Sequence, residues 1–143
     1  MRIERLDLLR FGHFTDQSIA LPHAGRDLHV IVGPNEAGKS TLRSAILDLL
    51  FGIETRTTFD FVHPKAELCI GASLRHADRV LEFRRIKKAR SLTDPAGAAL
   101  PEDALAPFLN GASRESYGQM FGLDHDRLKS GGKAILEASN DVG

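Results

Sequence analysis

The chain has 143 residues, of which 42% are apolar and 27% charged, a globular composition that excludes disorder and fibrous repeats. Its 19 Lys and Arg balance 19 Asp and Glu. The net charge of zero excludes binding to nucleic acid by bulk charge but leaves a local basic patch open. The one cysteine, Cys69, cannot form an internal disulfide, and no apolar run approaches the roughly 18 residues of a membrane span. We expect one cytoplasmic domain over residues 1–143.

The N-terminal third predicts a hairpin, a buried strand and a helix. Residues 2–9 alternate apolar and charged side chains, and residues 17–21 can return beside them as a second strand. Residues 28–32 are nearly all apolar or β-branched, which is typical of a central parallel strand covered on both faces. From Ser40 the apolar residues recur with helical spacing until Gly52, a natural helix stop.

The rest of the chain predicts shorter elements. Residues 53–66 and 91–100 are interpreted as loops, and residues 67–86 as a second hairpin. Three short helices follow. The first begins at Pro101 and is kinked or ended by Pro107. The second is capped by Ser113 and directs Tyr117, Met120 and Phe121 towards the core. The third begins at Asp124 and is stopped by Gly131 and Gly132.

One motif dominates the sequence: residues 33–40 read GPNEAGKS and match G-x-x-x-x-G-K-[ST], a phosphate-binding loop. Its backbone amides and the N-terminus of the following helix would cradle phosphate oxygens. Lys39 would reach the β- and γ-phosphates, the Ser40 hydroxyl would hold Mg²⁺ and Thr41 would meet the α-phosphate. The alternative is a structural glycine-rich turn with a surface lysine. We predict nucleotide contacts from these residues: Gly33, Asn35, Glu36, Ala37, Gly38, Lys39, Ser40 and Thr41.

The position of this loop, about 30 residues into the chain, resembles the arrangement in ATPase heads of the SMC-like and DNA-repair ABC type. The opening residues 2–14 look like the first strand and turn of those heads. Residues 120–136, MFGLDHDRLKSGGKAIL, are similar to a block of YhaN-type AAA proteins, which are large ATPases with a coiled-coil insertion. The resemblance is best at residues 1–52 and 117–143. It implies an ATP- and Mg²⁺-binding N-terminal half of a split head, which associates with a C-terminal half and a second head.

Two motifs needed for hydrolysis are not found. The nearest approach to a Walker B sequence, at residues 121–125, is interrupted by Gly122 and is better explained as a capped helix start. Residues 128–133, LKSGGK, depart twice from the ABC signature L-S-G-G-Q and are interpreted as a glycine helix stop. No catalytic residue is therefore assigned, and we expect the chain alone to bind ATP without useful turnover.

Further candidates rest on position alone. His13 occupies the turn that approaches the nucleotide in SMC-like heads, and Gln119 and His125 lie near the place of a Gln that touches Mg²⁺ there. Phe11 and Phe14 are interpreted as core residues rather than base-stacking residues. Residues 84–90 form the one basic run, which is either a DNA-backbone patch or a solvated hairpin edge. Its cations are Arg84, Arg85, Lys87, Lys88 and Arg90.

The predicted fold class is α/β, a P-loop NTPase lobe of the ABC/SMC-like head type with a parallel core strand beside antiparallel hairpins. The favoured function is ATP binding within an ATPase head that acts in DNA repair or maintenance. Two alternatives remain open. The first is a structural module in which bound ATP holds two chains together without being hydrolysed, and the second is a small-molecule kinase. The late position of the loop and the lack of an arginine-rich lid argue against the kinase.

Overall fold

The computed structural model describes residues 1–26, 28–34, 36–121 and 125–140. The chain divides into two compact units, residues 1–111 and 112–143, and each is described here by itself. No helix in the described ranges is long and apolar enough to cross a membrane.

The first unit is built on a five-stranded antiparallel sheet with the order β2-β1-β3-β4-β5. Its strands are β1 (Arg2–Phe11), β2 (Phe14–Ala20), β3 (Cys69–His76), β4 (Arg79–Ile86) and β5 (Leu92–Thr93). Both predicted hairpins are present: Leu6 faces Ile19 in the first, and Ala72 faces Phe83 in the second. The pairing of Leu8 with Ile70 joins the two hairpins through the central strands β1 and β3.

The two faces of the sheet differ in chemistry. Because side chains alternate along a strand, the register places an apolar set on one face, where the helices pack. On the opposite face, Asp7 accepts hydrogen bonds from Arg5 Nε at 3.0 Å and from Ser18 Oγ at 2.5 Å. The core of the unit therefore lies on the apolar side of the sheet, where Leu6, Leu8, Ile70, Ala72, Leu74 and Phe83 are buried.

Helix α1 (Lys39–Phe51) follows the phosphate-loop motif and packs on β3 and β4. Leu42, Ala45 and Leu49 are buried on its inner side, as the helical spacing predicts. Gly52 ends the helix, its amide donating to Asp48 O at 2.9 Å. The predicted helix and its stop are both confirmed.

The C-terminal end of α1 is held by a buried cation from β4. Arg85 is 5% exposed, and its guanidinium donates to Leu49 O at 3.0 Å and to Leu50 O at 3.1 Å. Ser91 Oγ accepts a further bond at 2.6 Å. These carbonyls lack intrahelical donors, so the arginine satisfies them and complements the negative end of the helix dipole.

The predicted central parallel strand at residues 28–32 is wrong for the described chain. No strand is formed there, every strand pair in the described part is antiparallel, and Leu28 and Val32 are 88% and 86% exposed. The apolar pattern predicts burial on both faces, yet burial needs neighbouring strands, and the described residues supply none beside this segment.

Two other expectations about local structure are corrected in the first unit. The interval 91–100 contains the short strand β5 within its turns. Pro107 lies in the first turn of α2 (Ala106–Leu109), so it begins this helix instead of ending an earlier one. A proline is tolerated there because the first helical amides have no intrahelical acceptor.

The second unit contains α3 (Arg114–Phe121) and α4 (His125–Asn140). Ser113 caps α3 as predicted, accepting from the Ser116 amide at 3.1 Å. The predicted core face is only partly present, because Tyr117 is half-buried whereas Met120 is 60% exposed.

The predicted glycine stop in the second unit is wrong. Helix α4 continues through Gly131 and Gly132 for 16 residues. A helix-interior glycine costs only about 1 kcal/mol relative to alanine, so the helix-forming residues that follow outweigh the pair.

Candidate functional site

The phosphate-loop motif leads directly into α1. Gly38 is the residue before the helix, with φ +97°, and no side chain caps the helix start. In this first turn the Leu42 amide donates to Gly38 O at 2.8 Å. Helical geometry therefore leaves the first-turn amides without acceptors inside α1, the arrangement in which a helix start attracts an anion.

Lys39 ties the two ends of the loop together. Its ammonium donates to Gly33 O and, at 3.2 Å, to Pro34 O. The Ala37 amide also donates to Pro34 O, at 3.2 Å, which closes a turn inside the loop. The lysine thus lies along the inside of the loop, where an anion bound to the loop would meet its charge.

The turn between β1 and β2 packs against the loop. A Cβ at Gly38 would lie 2.4 Å from His13 Cε1 and 2.8 Å from Phe14 Cζ, so only glycine fits beside these rings. The two rings are themselves in contact, with centroids 4.1 Å apart. The structure thus places His13 beside the loop. Phe14, interpreted from the sequence as a core residue, is half-buried at the same place, whereas Phe11 is fully buried.

These pieces enclose a surface cavity of about 230 Å³. Among its described lining residues Glu36 is the single carboxylate, and its backbone has φ +72°. No three His, Cys, Asp or Glu side chains come together as a metal site anywhere in the described ranges. The oxygen-bearing side chains of its described lining are Glu36, Ser40 and Thr41. The cavity is lined by His13, Glu36, Gly38, Lys39, Ser40 and Thr41.

Five predicted site residues are not among the described residues that line this cavity. Gly33 and Ala37 belong to the loop itself, where Gly33 O accepts from Lys39 Nζ and the Ala37 amide donates to Pro34 O. Asn35 lies outside the described residues. Gln119 is an exposed residue of α3, in the second unit, where its Nε2 donates to Glu115 Oε1 at 3.4 Å. The side chain of His125, the first residue of α4, also lies outside the described set.

The basic run divides between structural and exposed cations. Arg85 is buried against the end of α1, and Lys87 Nζ donates to Ile53 O at 2.9 Å. Burial lowers the pKa of Arg85, while nearby Glu102 and Asp48 raise it. Arg85 is therefore unavailable to a DNA backbone, a correction to the predicted five-residue patch. Arg84 is half-buried, and Lys88 and Arg90 are exposed.

Cys69 is buried in the sheet, and burial raises the pKa of its thiol, although Arg10 and Arg84 act in the opposite direction. A raised pKa keeps the thiol protonated and unreactive at neutral pH. We assign it no chemical role.

Comparison with known proteins adds a family to this geometry. A family model described as an AAA domain matches residues 1–143, the whole chain. The chain belongs to this AAA domain family. No curated protein matches it significantly. Membership supports a nucleotide-binding, ATPase-like function, and the mixed α/β unit with its antiparallel sheet is compatible with a P-loop NTPase fold.

Proposed function

We propose that the chain binds a nucleoside triphosphate, ATP with Mg²⁺, at the cavity in front of α1. The observation that carries this proposal is the loop geometry: Gly38 opens an uncapped helix start, and Lys39 lies inside the same loop. Uncapped amides and an ammonium group together match the charge and the acceptor oxygens of a triphosphate. Ser40 would hold the metal, and Thr41 would face the α-phosphate.

Calorimetric titration with Mg-ATP tests this proposal. We expect Lys39→Ala to weaken binding at least about 30-fold, because a charge-assisted hydrogen bond contributes roughly 2–3 kcal/mol. Lys88→Ala is the matched control, since Lys88 is exposed outside the cavity and its loss should leave the affinity unchanged. Absence of binding heat with folded wild-type protein would refute the proposal.

We further propose that the chain alone does not hydrolyse ATP at a useful rate. Turnover requires a residue that orients the attacking water, and a carboxylate is a common choice. Glu36, the one carboxylate among the described lining residues, belongs to the loop itself. Steady-state phosphate release that disappears in Lys39→Ala would show that the chain alone hydrolyses ATP. That result would favour a complete enzyme over a structural module that binds ATP without hydrolysing it.

The exposed segment 28–32 supports the larger proposal of a split, SMC-like head of the YhaN type. Val30 and Ile31 are 70% and 46% exposed, and Ile31 borders a second cavity of about 240 Å³ with Leu42 and Ile46 on α1. A β-branched segment beside an apolar helix surface suits the core of a sheet whose other strands come from the C-terminal half.

The reading frame after Gly143 tests the split head: heptads followed by L-S-G-G-Q and a Walker B motif are expected. In the presence of that half, the amides of residues 28–32 should become protected from hydrogen exchange. Unchanged exchange in a complex that forms would overturn the assignment of this segment.

A role in cytoplasmic DNA repair or maintenance is the remaining part of the proposal, and it rests on the resemblance of the two chain ends to SMC-like heads. Arg84, Lys88 and Arg90 are the cations of the run that can meet DNA. Charge reversal of Lys88 and Arg90 should abolish salt-dependent duplex binding if they contact phosphates. Unchanged binding would assign these residues to a solvated edge.

A further inference from the structure

The loop between α1 and β3 is anchored to the turn between β1 and β2, which borders the cavity in front of α1. The Phe59 ring stacks on the buried Phe11 ring, with centroids 4.8 Å apart, and Phe59 O accepts from the Gly12 amide at 2.9 Å. The Phe59 amide in turn donates to Thr57 Oγ1 at 3.2 Å. This part of the loop is thus fixed to β1 by both a ring contact and a backbone hydrogen bond.

A second anchor follows four residues later. His63 Nε2 lies 3.1 Å from Phe14 O and 2.8 Å from Thr15 Oγ1. Residues 60–62 therefore span a short interval between two fixed points. Within that interval Phe61 is 63% exposed and Val62 55% exposed. An aromatic ring is thus presented to solvent on a loop whose position is determined.

The place of this ring makes it more than a scattered surface residue. A Cβ at Gly12 would lie 2.7 Å from Thr41 Cγ2 and 3.7 Å from Phe61 Cζ, so the side chains of Thr41 and Phe61 both border Gly12. Two residues near Gly12 line the cavity in front of α1. They are Thr41 and His13, which directly follows Gly12 in the chain. Phe61 therefore lies beside the Thr41 side of that cavity.

The direction of a bound nucleotide follows from the loop. In the proposed binding mode Lys39 reaches the β- and γ-phosphates, and the α-phosphate lies towards the following helix turn, at Thr41. The ribose and base must then leave the cavity past Thr41. An exposed aromatic ring on that side has the flat apolar surface that a nucleobase needs.

We propose that Phe61 is a base-stacking residue of the nucleotide site, and this rests on the proposed function. The ligand class is a nucleoside triphosphate, distinguished from inorganic tripolyphosphate by its base. Stacking depends on the face of the base and not on its hydrogen-bonding edge, so Phe61 provides affinity for ATP and GTP alike.

The test compares Mg-ATP with magnesium tripolyphosphate by calorimetry on the full chain. We expect Phe61→Ala to weaken ATP binding roughly tenfold, within the range for loss of one stacked base, and to leave tripolyphosphate affinity unchanged. Phe61→Tyr should restore ATP affinity, because it restores the ring. Val62→Ala is the matched control, an exposed apolar neighbour on the same anchored loop.

The outcomes separate the two proposals. If wild-type protein binds tripolyphosphate and ATP but Phe61→Ala changes ATP affinity less than twofold, or weakens both ligands equally, base stacking is overturned while the phosphate site stands. If folded wild-type protein binds neither ligand, the proposed function itself fails. The fluorescence of etheno-ATP is a second readout: quenching in wild type and Phe61→Tyr that is lost in Phe61→Ala supports stacking.

Discussion

Two apolar runs of the first unit have opposite fates. Residues 69–74 of β3 are buried without exception, whereas Leu28 and Val32 of the more hydrophobic segment 28–32 are almost fully exposed. The difference lies in their neighbours: β3 has β1 on one side and β4 on the other. Hydrophobicity therefore indicates that a segment needs a cover, and the surrounding elements decide whether the described chain provides it.

Truncating one residue in each run tests this comparison most directly. Ile70→Ala should lower the free energy of unfolding by about 3 kcal/mol, because it removes a fully buried side chain and leaves a cavity. Val32→Ala should change it by less than about 0.5 kcal/mol, since the side chain is exposed. Urea denaturation measures both values. Equal losses would show that segment 28–32 is packed in solution.

Arg85, the buried arginine that joins β4 to the end of α1, provides a second test of how the buried sheet is stabilised. Arg85→Met should destabilise the unit by about 2 kcal/mol, since the carbonyls of Leu49 and Leu50 lose charged donors in a buried place. The control is Lys88→Met, which removes an exposed cation of the same basic run. Thermal unfolding compares them, and similar melting temperatures would contradict the structural role of Arg85.

Much of the sheet follows from sequence because its signals are local. The hairpins follow from alternation and the α1 bounds from helical spacing, and the position of the loop before α1 follows from the spacing of Gly33, Gly38 and Lys39. The burial of Arg85 and the position of Phe61 were not predictable, because both depend on contacts between segments distant in sequence. The same limit explains the error at residues 28–32, whose pattern specifies burial but not the partner strands.

On the side of the phosphate loop, the charge of Glu36 offers a smaller test. Glu36→Gln should tighten Mg-ATP binding a few-fold, because a carboxylate lining the cavity repels the triphosphate. The gain should shrink at high salt, where the charge is screened. Calorimetry at two ionic strengths measures it. Weaker binding by the glutamine variant would show that this carboxylate helps to hold the metal.

The smallest expected effect concerns an ion pair near the start of β1. The hydrogen bond from Arg75 holds the pKa of Glu4 below its ordinary value, against the opposing effect of desolvation. A carboxyl group with a lowered folded-state pKa stabilises the fold above its unfolded pKa and loses that contribution as the pH falls through the folded value. Glu4→Gln should therefore lose slightly less stability than wild type between pH 7 and pH 3.

Urea midpoints at the two pH values measure this difference. Ser18→Ala provides a comparison, because Ser18 bonds Asp7 and not Glu4, so it should leave the pH dependence attributable to Glu4 in place. Identical pH profiles for wild type and Glu4→Gln would show that the ion pair between Glu4 and Arg75 does not contribute to stability.

Helix α1 is fastened at both extremities, by the rings of His13 and Phe14 against Gly38 at one and by the Arg85 guanidinium at the other. Its 13 residues make a rod about 20 Å long. A rod clamped in this way resists sliding along its axis, so the amide donors of its first turn are held in determined positions. If an anion binds there as proposed, little ordering entropy has to be lost on binding, because these donors are already in place.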